Sequence, residues 1–216
     1  MRQQRVRILV AGFGPFPGAA VNPSATLARA LARLRRPALA QAAIRAHVFE
    51  TSYRAVARDL DALTASFRPD LVLLFGVAPR ARRLRIETQA RNLIALFPDA
   101  ARHAPAQRRI ADGPSAIPVS RGLPVRLLKA ARQCGLRATL SRDAGRYVCN
   151  FTLWHALAAA QRANGSRLVA FVHIPPAARA TRRSAPRRPR RPSFARTVFA
   201  AQAMLCAMLA AFGRAD

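Results

Sequence analysis

The chain has 216 residues, enough for one domain with a substantial core of its own. With 51% hydrophobic and 21% charged residues it lies outside the disordered class, and an aromatic share of 6% leaves Ala, Leu and Val to fill the interior. The net charge of +28 and a pI near 12.0 raise nucleic acid as a partner, but Lys129 is the only lysine and arginine is spread through the chain together with Ala, Pro and Leu, a mix that compositional drift explains better than selection for polyanions.

Residues near the start are basic and then apolar, but the apolar part of "ILVAGFGPF" is short and broken by Gly and Pro, so it reads as a strand over 7–11 and not as a signal peptide. Asn22-Pro23 offers an N-cap and a first-turn proline to a helix through "SATLARALARL". A strand over 44–49 follows. Thr51 or Ser52 then caps "YRAVARDLDALTASF", where Val56, Leu60 and Leu63 recur at i, i+4 and i+7. Strands are expected over 71–76 and 85–93, a helix at "LPVRLLKAARQ", a strand over 136–140, a helix at "RYVCNFTLWHALAAAQRA" and a strand over 168–174. The Arg- and Pro-rich stretch 177–192 reads as a surface loop kept extended by its proline and like charge. Ser193 opens a last helix whose apolar run, about fifteen residues, is too short to span a bilayer. Such alternation predicts an α/β fold: residues 1–216 as a single domain, with a twisted, mostly parallel central sheet covered on both faces.

Three cysteines, Cys134, Cys149 and Cys206, are an odd number with no C-x-x-C pair, so neither a disulfide framework nor a zinc site is indicated and a reducing cytoplasm fits best. "GFGPFPG" lacks the spacing of a dinucleotide fingerprint, and no motif for a metal or cofactor occurs. Cys149 falls in the first turns of a helix that Ser141 or Asp143 can cap, where the dipole and free N–H groups favour a thiolate and offer oxyanion donors. Flanked by Val148 and Phe151, it also fits the description of a core thiol. A thiolate needs a base, and His173 ends an apolar strand, at the edge where ligands bind in open α/β sheets. His47, His103 and His155 read as structural or solvated. The base in turn needs an acceptor, and among only nine acidic residues Glu87 stands out in the strand-like "LRIETQARN", although for Glu87 taken alone an ion pair with a nearby Arg is the better account.

Five stretches in order, "ILVAGFGPFPGAAVNPS", "IETQARN" with "FPDA", "IADGPSAIPVSRGLPV", "LSRDAGRYVCN" and "FVHIPP", resemble the pyroglutamyl peptidase I family, also called pyrrolidone-carboxylate peptidase. The resemblance implies a cytosolic cysteine peptidase with a three-layer α/β/α sandwich that removes an N-terminal 5-oxoproline from peptides. It implies no cofactor, often an oligomer, and a triad of Cys149, His173 and Glu87, with Phe13 and Phe16 as aromatic walls for the lactam ring. These are the three residues the chemistry singles out. One stretch departs from the family: "GVAPRA" places Val77, Pro79, Arg80 and Ala81 where the family carries Gln, two glycines and Arg, and Thr88 follows Glu87 in place of another Arg. A second reading therefore keeps the triad but gives it a different N-acyl or cyclic amide. The non-enzymatic rival is a polyanion-binding module, suggested by "RRSAPRRPRRPS". Salt-sensitive, nonspecific nucleic-acid binding is expected under any of these readings, and membrane binding under none.

Overall fold

Three strands that are almost wholly buried form the middle of a six-stranded sheet: β1 (Val6–Phe13), β3 (Leu71–Val77) and β8 (Leu168–Ile174). Apolar side chains on both faces of these strands demand cover on both sides, and helices supply it. The computed structural model describes residues 5–16, 19–163, 165–176 and 191–213. The Arg/Pro loop expected over 177–192 thus lies outside the described residues, except for Arg191 and Pro192.

The strand order is β2-β1-β3-β8-β4-β7, with β2 (Ala42–Phe49) and β7 (Ala138–Ser141) at the edges. β2, β1, β3 and β8 are mutually parallel, whereas β4 (Leu84–Glu87) runs antiparallel to β8 and parallel to β7. Helices α1 (Pro23–Ala32), α3 (Leu123–Gln133) and α5 (Phe194–Phe212) pack together on one face, and α2 (Tyr53–Ser66) packs with α4 (Val148–Ala160) on the other. The result is the expected α/β/α layering around one continuous apolar core.

Local chemistry explains most element starts. Asn22 caps α1 by accepting the Ser24 N–H at 3.2 Å, and Ser193 caps α5 by accepting from Arg196 at 3.3 Å. Neither Thr51 nor Ser52 caps α2 through its side chain. The Tyr53 N–H instead goes to Asp99 Oδ2 at 2.9 Å, a cap supplied from a loop far along the chain.

Other expectations need correction. The extended run 85–93 is not one strand. The chain leaves the main sheet after Glu87, where the Thr88 N–H bonds to Ser141 O at 2.7 Å, and continues as β5 (Gln89–Arg91), paired with the short β6 (Ala116–Pro118) in a separate ribbon. Helix α4 has no side-chain cap: Asp143 Oδ1 accepts from Gly145 N–H at 3.0 Å and Ser141 Oγ from Asp143 N–H at 3.2 Å, both within the preceding turn. Helix α5 is longer than its fifteen-residue apolar run. Its 19 residues are long and apolar enough, by length and composition, to cross a membrane. One face of α5, through Thr197, Ala200, Ala201, Met204, Leu205 and Met208, is nevertheless buried against α3, α1 and the sheet.

Candidate active site

Sheet register brings the predicted residues together. On β8, His173 lies opposite Gly76 of β3 on one side and Arg85 of β4 on the other. Glu87, two residues beyond Arg85, therefore shares its face and sits diagonal to His173, within reach of a long side chain. The contact is made: His173 Nδ1 and Glu87 Oε1 are 2.8 Å apart, with Glu87 0% exposed. Arg85 Nε adds a second positive group 3.7 Å from the same oxygen, while Oε2 is buried with no hydrogen-bond partner among the described residues. All of the carboxylate's hydrogen bonding is thus directed at the oxygen that holds the imidazole.

Cys149 arrives from the other direction, as the second residue of α4. Its sulfur occupies the space over Gly76, where an added Cβ would lie 2.9 Å from Sγ and 2.8 Å from the Phe171 ring. A glycine at that point of β3 is what lets the helix bring its thiol down beside His173. Burial alone would favour the neutral ring of His173. Hydrogen bonding to Cys149 and Glu87, with the charges of both, outweighs it and pushes the imidazole up to about 9.

Cys149 and His173 line one cavity of about 280 Å³ with Phe13 and Phe16, so every predicted site residue except Glu87 reaches it, and Glu87 stands directly behind His173. Phe13 has two roles. It is 2% exposed, packs its ring 5.7 Å from Phe49 and 6.3 Å from Phe171, and still forms cavity wall. The turn carrying both rings is held by Asn22 Nδ2 and Thr51 Oγ1, which donate to Gly14 O at 3.0 and 3.2 Å. Burial pushes the other two thiols, Cys134 and Cys206, up. Of the other histidines, His47 pairs with Asp59 at 3.0 Å, His103 lies 4.0 Å from Asp99, and His155 is held low by burial on α4. Among the described residues no group of three or more His, Cys, Asp or Glu is placed to hold a metal ion.

A family model described as pyroglutamyl peptidase matches residues 6–209. The chain belongs to the pyroglutamyl peptidase family. Similar relatives include a pyroglutamyl-peptidase 1 from Rattus norvegicus, 34% identical over 181 residues that cover 82% of each chain. A pyrrolidone-carboxylate peptidase from Thermococcus litoralis is 29% identical over 172 residues, covering 78% of this chain and 76% of its own. The fold likeness is broader still. A solved pyrrolidone carboxyl peptidase from Thermococcus litoralis superposes with a TM-score of 0.86 at 22% identity, covering 97% of this chain and 96% of that one, and a Bacillus amyloliquefaciens pyroglutamyl peptidase I gives 0.80 at 24%, covering 95% and 98%.

Several supports of this family member's site are not evident from residue types. Asn150, fully buried beside Cys149, donates to Arg91 O and Leu93 O at 2.8 and 2.9 Å and accepts the Arg91 N–H at 2.9 Å, pinning the start of α4 to β5. Tyr147, the residue before α4, lines the cavity and stacks 5.2 Å from Phe97. Asp99 caps α2 and also accepts the Ala101 and His103 N–H groups, each at 2.9 Å. Burial works to raise it, but these bonds and one from Ser52 hold its carboxyl below the usual range. The position of Asn150 next to the thiol and the "FPDA" stretch were the available signals. Of the departures in "GVAPRA", Val77 and Pro79 line the cavity, so one wall is apolar there.

Proposed function

We propose that Cys149, His173 and Glu87 form the catalytic triad of a cysteine exopeptidase that hydrolyses the amide after an N-terminal pyroglutamyl residue. The observation that carries the reading is the 2.8 Å contact of His173 Nδ1 with buried Glu87, in a ring that also lines the Cys149 cavity. With Nδ1–H donated to Glu87, Nε2 is the nitrogen left to serve the thiol. Cys149 gives its thiol proton to His173 Nε2, and the thiolate attacks the pyroglutamyl carbonyl carbon. A C–S bond forms, and the carbonyl electron pair moves to an oxygen facing the uncapped N–H groups of the first turn of α4. Collapse breaks the C–N bond while His173 Nε2 gives its proton to the departing amine. The thioester is then hydrolysed by water whose proton passes to Nε2, and sulfur leaves as thiolate. Glu87 keeps the tautomer throughout and stabilises the imidazolium that accompanies the thiolate before attack and forms again when water gives up its proton.

Phe13 and Phe16 serve as faces for a small, flat, uncharged lactam. The apolar Val77 and Pro79 wall favours a second reading, in which the same triad accepts other N-acyl or cyclic amides. Release of a fluorophore from a pyroglutamyl amide by the purified protein, abolished in Cys149→Ser, tests the assignment; release that survives the substitution overturns it, and rates across a series of N-acyl amides separate the two substrates. The same reading makes residues 1–216 one catalytic domain working in the reducing cytoplasm, which the three unpaired thiols support. Homo-oligomer formation and salt-sensitive contacts with nucleic acid go with it, to be checked by sedimentation and by a salt titration against duplex DNA.

A further inference from the structure

The departing stretch after β3 does more than replace cavity wall. Beyond Pro79 the cavity opens into a groove of about 760 Å³, and the two share Phe16, Ala78, Pro79 and Arg85. Arg80, Arg82 and Arg83 line this groove, and among the described residues no Asp or Glu does. Arg85 is already committed, with its guanidinium on Glu87, Ser141 Oγ and Asp143 O. The other three arginines make no ion pair with any described residue. In a chain with only nine acids, arginine without a partner is common on the surface. What distinguishes this set is its place, along a groove that shares part of its wall with the Cys149 cavity. The carbonyl of Pro79, at the junction, is fixed by Arg191 Nη2 at 3.1 Å, so the groove begins from a tethered edge.

We propose that this groove receives the peptide beyond the scissile amide and selects for acidic side chains there. The inference rests on the pyroglutamyl peptidase reading. With the small acyl ring at the aromatic end of the cavity, a leaving peptide that follows the shared wall passes Phe16 and Pro79 and meets a surface lined by Arg80, Arg82 and Arg83. Carboxylates on that peptide meet guanidinium groups that no described Asp or Glu engages, whereas lysines meet repulsion.

The test compares kcat/KM for pyroglutamyl peptides that carry two Glu, two Ala or two Lys after the first residue, beside a short pyroglutamyl amide with no extension. At low ionic strength the diacidic peptide is expected to exceed the neutral one by about tenfold, with the dibasic peptide below both, and the spread should shrink as salt rises. In Arg80→Ala/Arg82→Ala/Arg83→Ala the acidic-to-neutral ratio is expected to fall close to one, and in Arg82→Glu/Arg83→Glu the order should invert in favour of Lys. The inverted preference is a gain that a misfolded protein would not show. Equal rates on the three peptides with the short amide turned over, or a preference that survives both variants, overturn the groove alone. No turnover of the short amide or of any peptide overturns the peptidase reading and the groove with it.

Discussion

Replacing Glu87 by Gln keeps the size of the side chain and removes its charge. Two unit charges about 4 Å apart attract by about 4 kcal/mol at an effective dielectric near 20, which corresponds to about three pKa units. That is enough to bring His173 from about 9 to its ordinary value of 6.5 or lower, because burial, the largest influence on the ring, already acts downward. A Gln amide that turns its NH2 toward Nδ1 also forces the proton onto Nε2, where the thiol needs an acceptor. Loss of both charge and tautomer predicts a fall in kcat/KM on a pyroglutamyl amide of roughly 10²- to 10⁴-fold. Two readouts check this together: steady-state kinetics, and an NMR titration of the His173 ring in labelled protein. The sign of the linkage is fixed. A ring raised in the folded state adds stability that is complete below about 6.5 and is lost as pH rises through about 9, so wild-type unfolding free energy should decline between pH 7 and 10 and the decline should be smaller in Glu87→Gln. A variant with near-normal kcat/KM and an unmoved His173 titration would refute the reasoning.

Three more predictions concern the supports. Gly76→Ala places a methyl group 2.9 Å from Cys149 Sγ, and a drop of at least about a hundredfold in kcat/KM is expected with a stability loss of only about 1–3 kcal/mol, read by kinetics and urea unfolding. Phe16→Ala should raise KM about tenfold and leave unfolding nearly unchanged, since Phe16 lines the cavity without belonging to the buried core. Asp99→Ala leaves three backbone N–H groups without their acceptor and should cost about 2–4 kcal/mol near neutral pH. Because the folded Asp99 carboxyl lies below its ordinary value, that contribution is present above about 3.8 and fades as pH falls through the lowered value, so the unfolding curves of wild type and Asp99→Ala should converge in acid.

Much of the architecture was legible because its signals are local. Strand 168–174 and helix 123–133 have the bounds that hydrophobic pattern and turn residues indicate, and Asn22 and Ser193 cap the helices they precede. Residues 85–93 mislead because the backbone stays extended past Glu87 and only its partner changes, from β8 and β7 to β6; periodicity reports extension and not pairing. The Asp99 cap on α2 is invisible for a similar reason, since its two ends are 46 residues apart. Cys149, His173 and Glu87 were identifiable by chemical type and by resemblance. Their meeting was not, for it depends on the strand order β3-β8-β4, on the reversal of β4 that sets Glu87 diagonal to His173, and on a glycine opposite the histidine. Phe13 is a core ring and a cavity wall at once, and only its burial in the fold reveals the first of these.

Cys149 as the nucleophile is tested most directly by trapping a covalent intermediate on its sulfur. A pyroglutamyl aryl ester, whose good leaving group makes acylation fast, would be mixed with the protein and quenched in acid within the first turnovers, followed by intact and peptide-level mass spectrometry. The expected result is the mass increment of one pyroglutamyl group on the peptide that carries Cys149, absent in Cys149→Ser. An increment on any other residue, or one that persists in Cys149→Ser, would contradict the account.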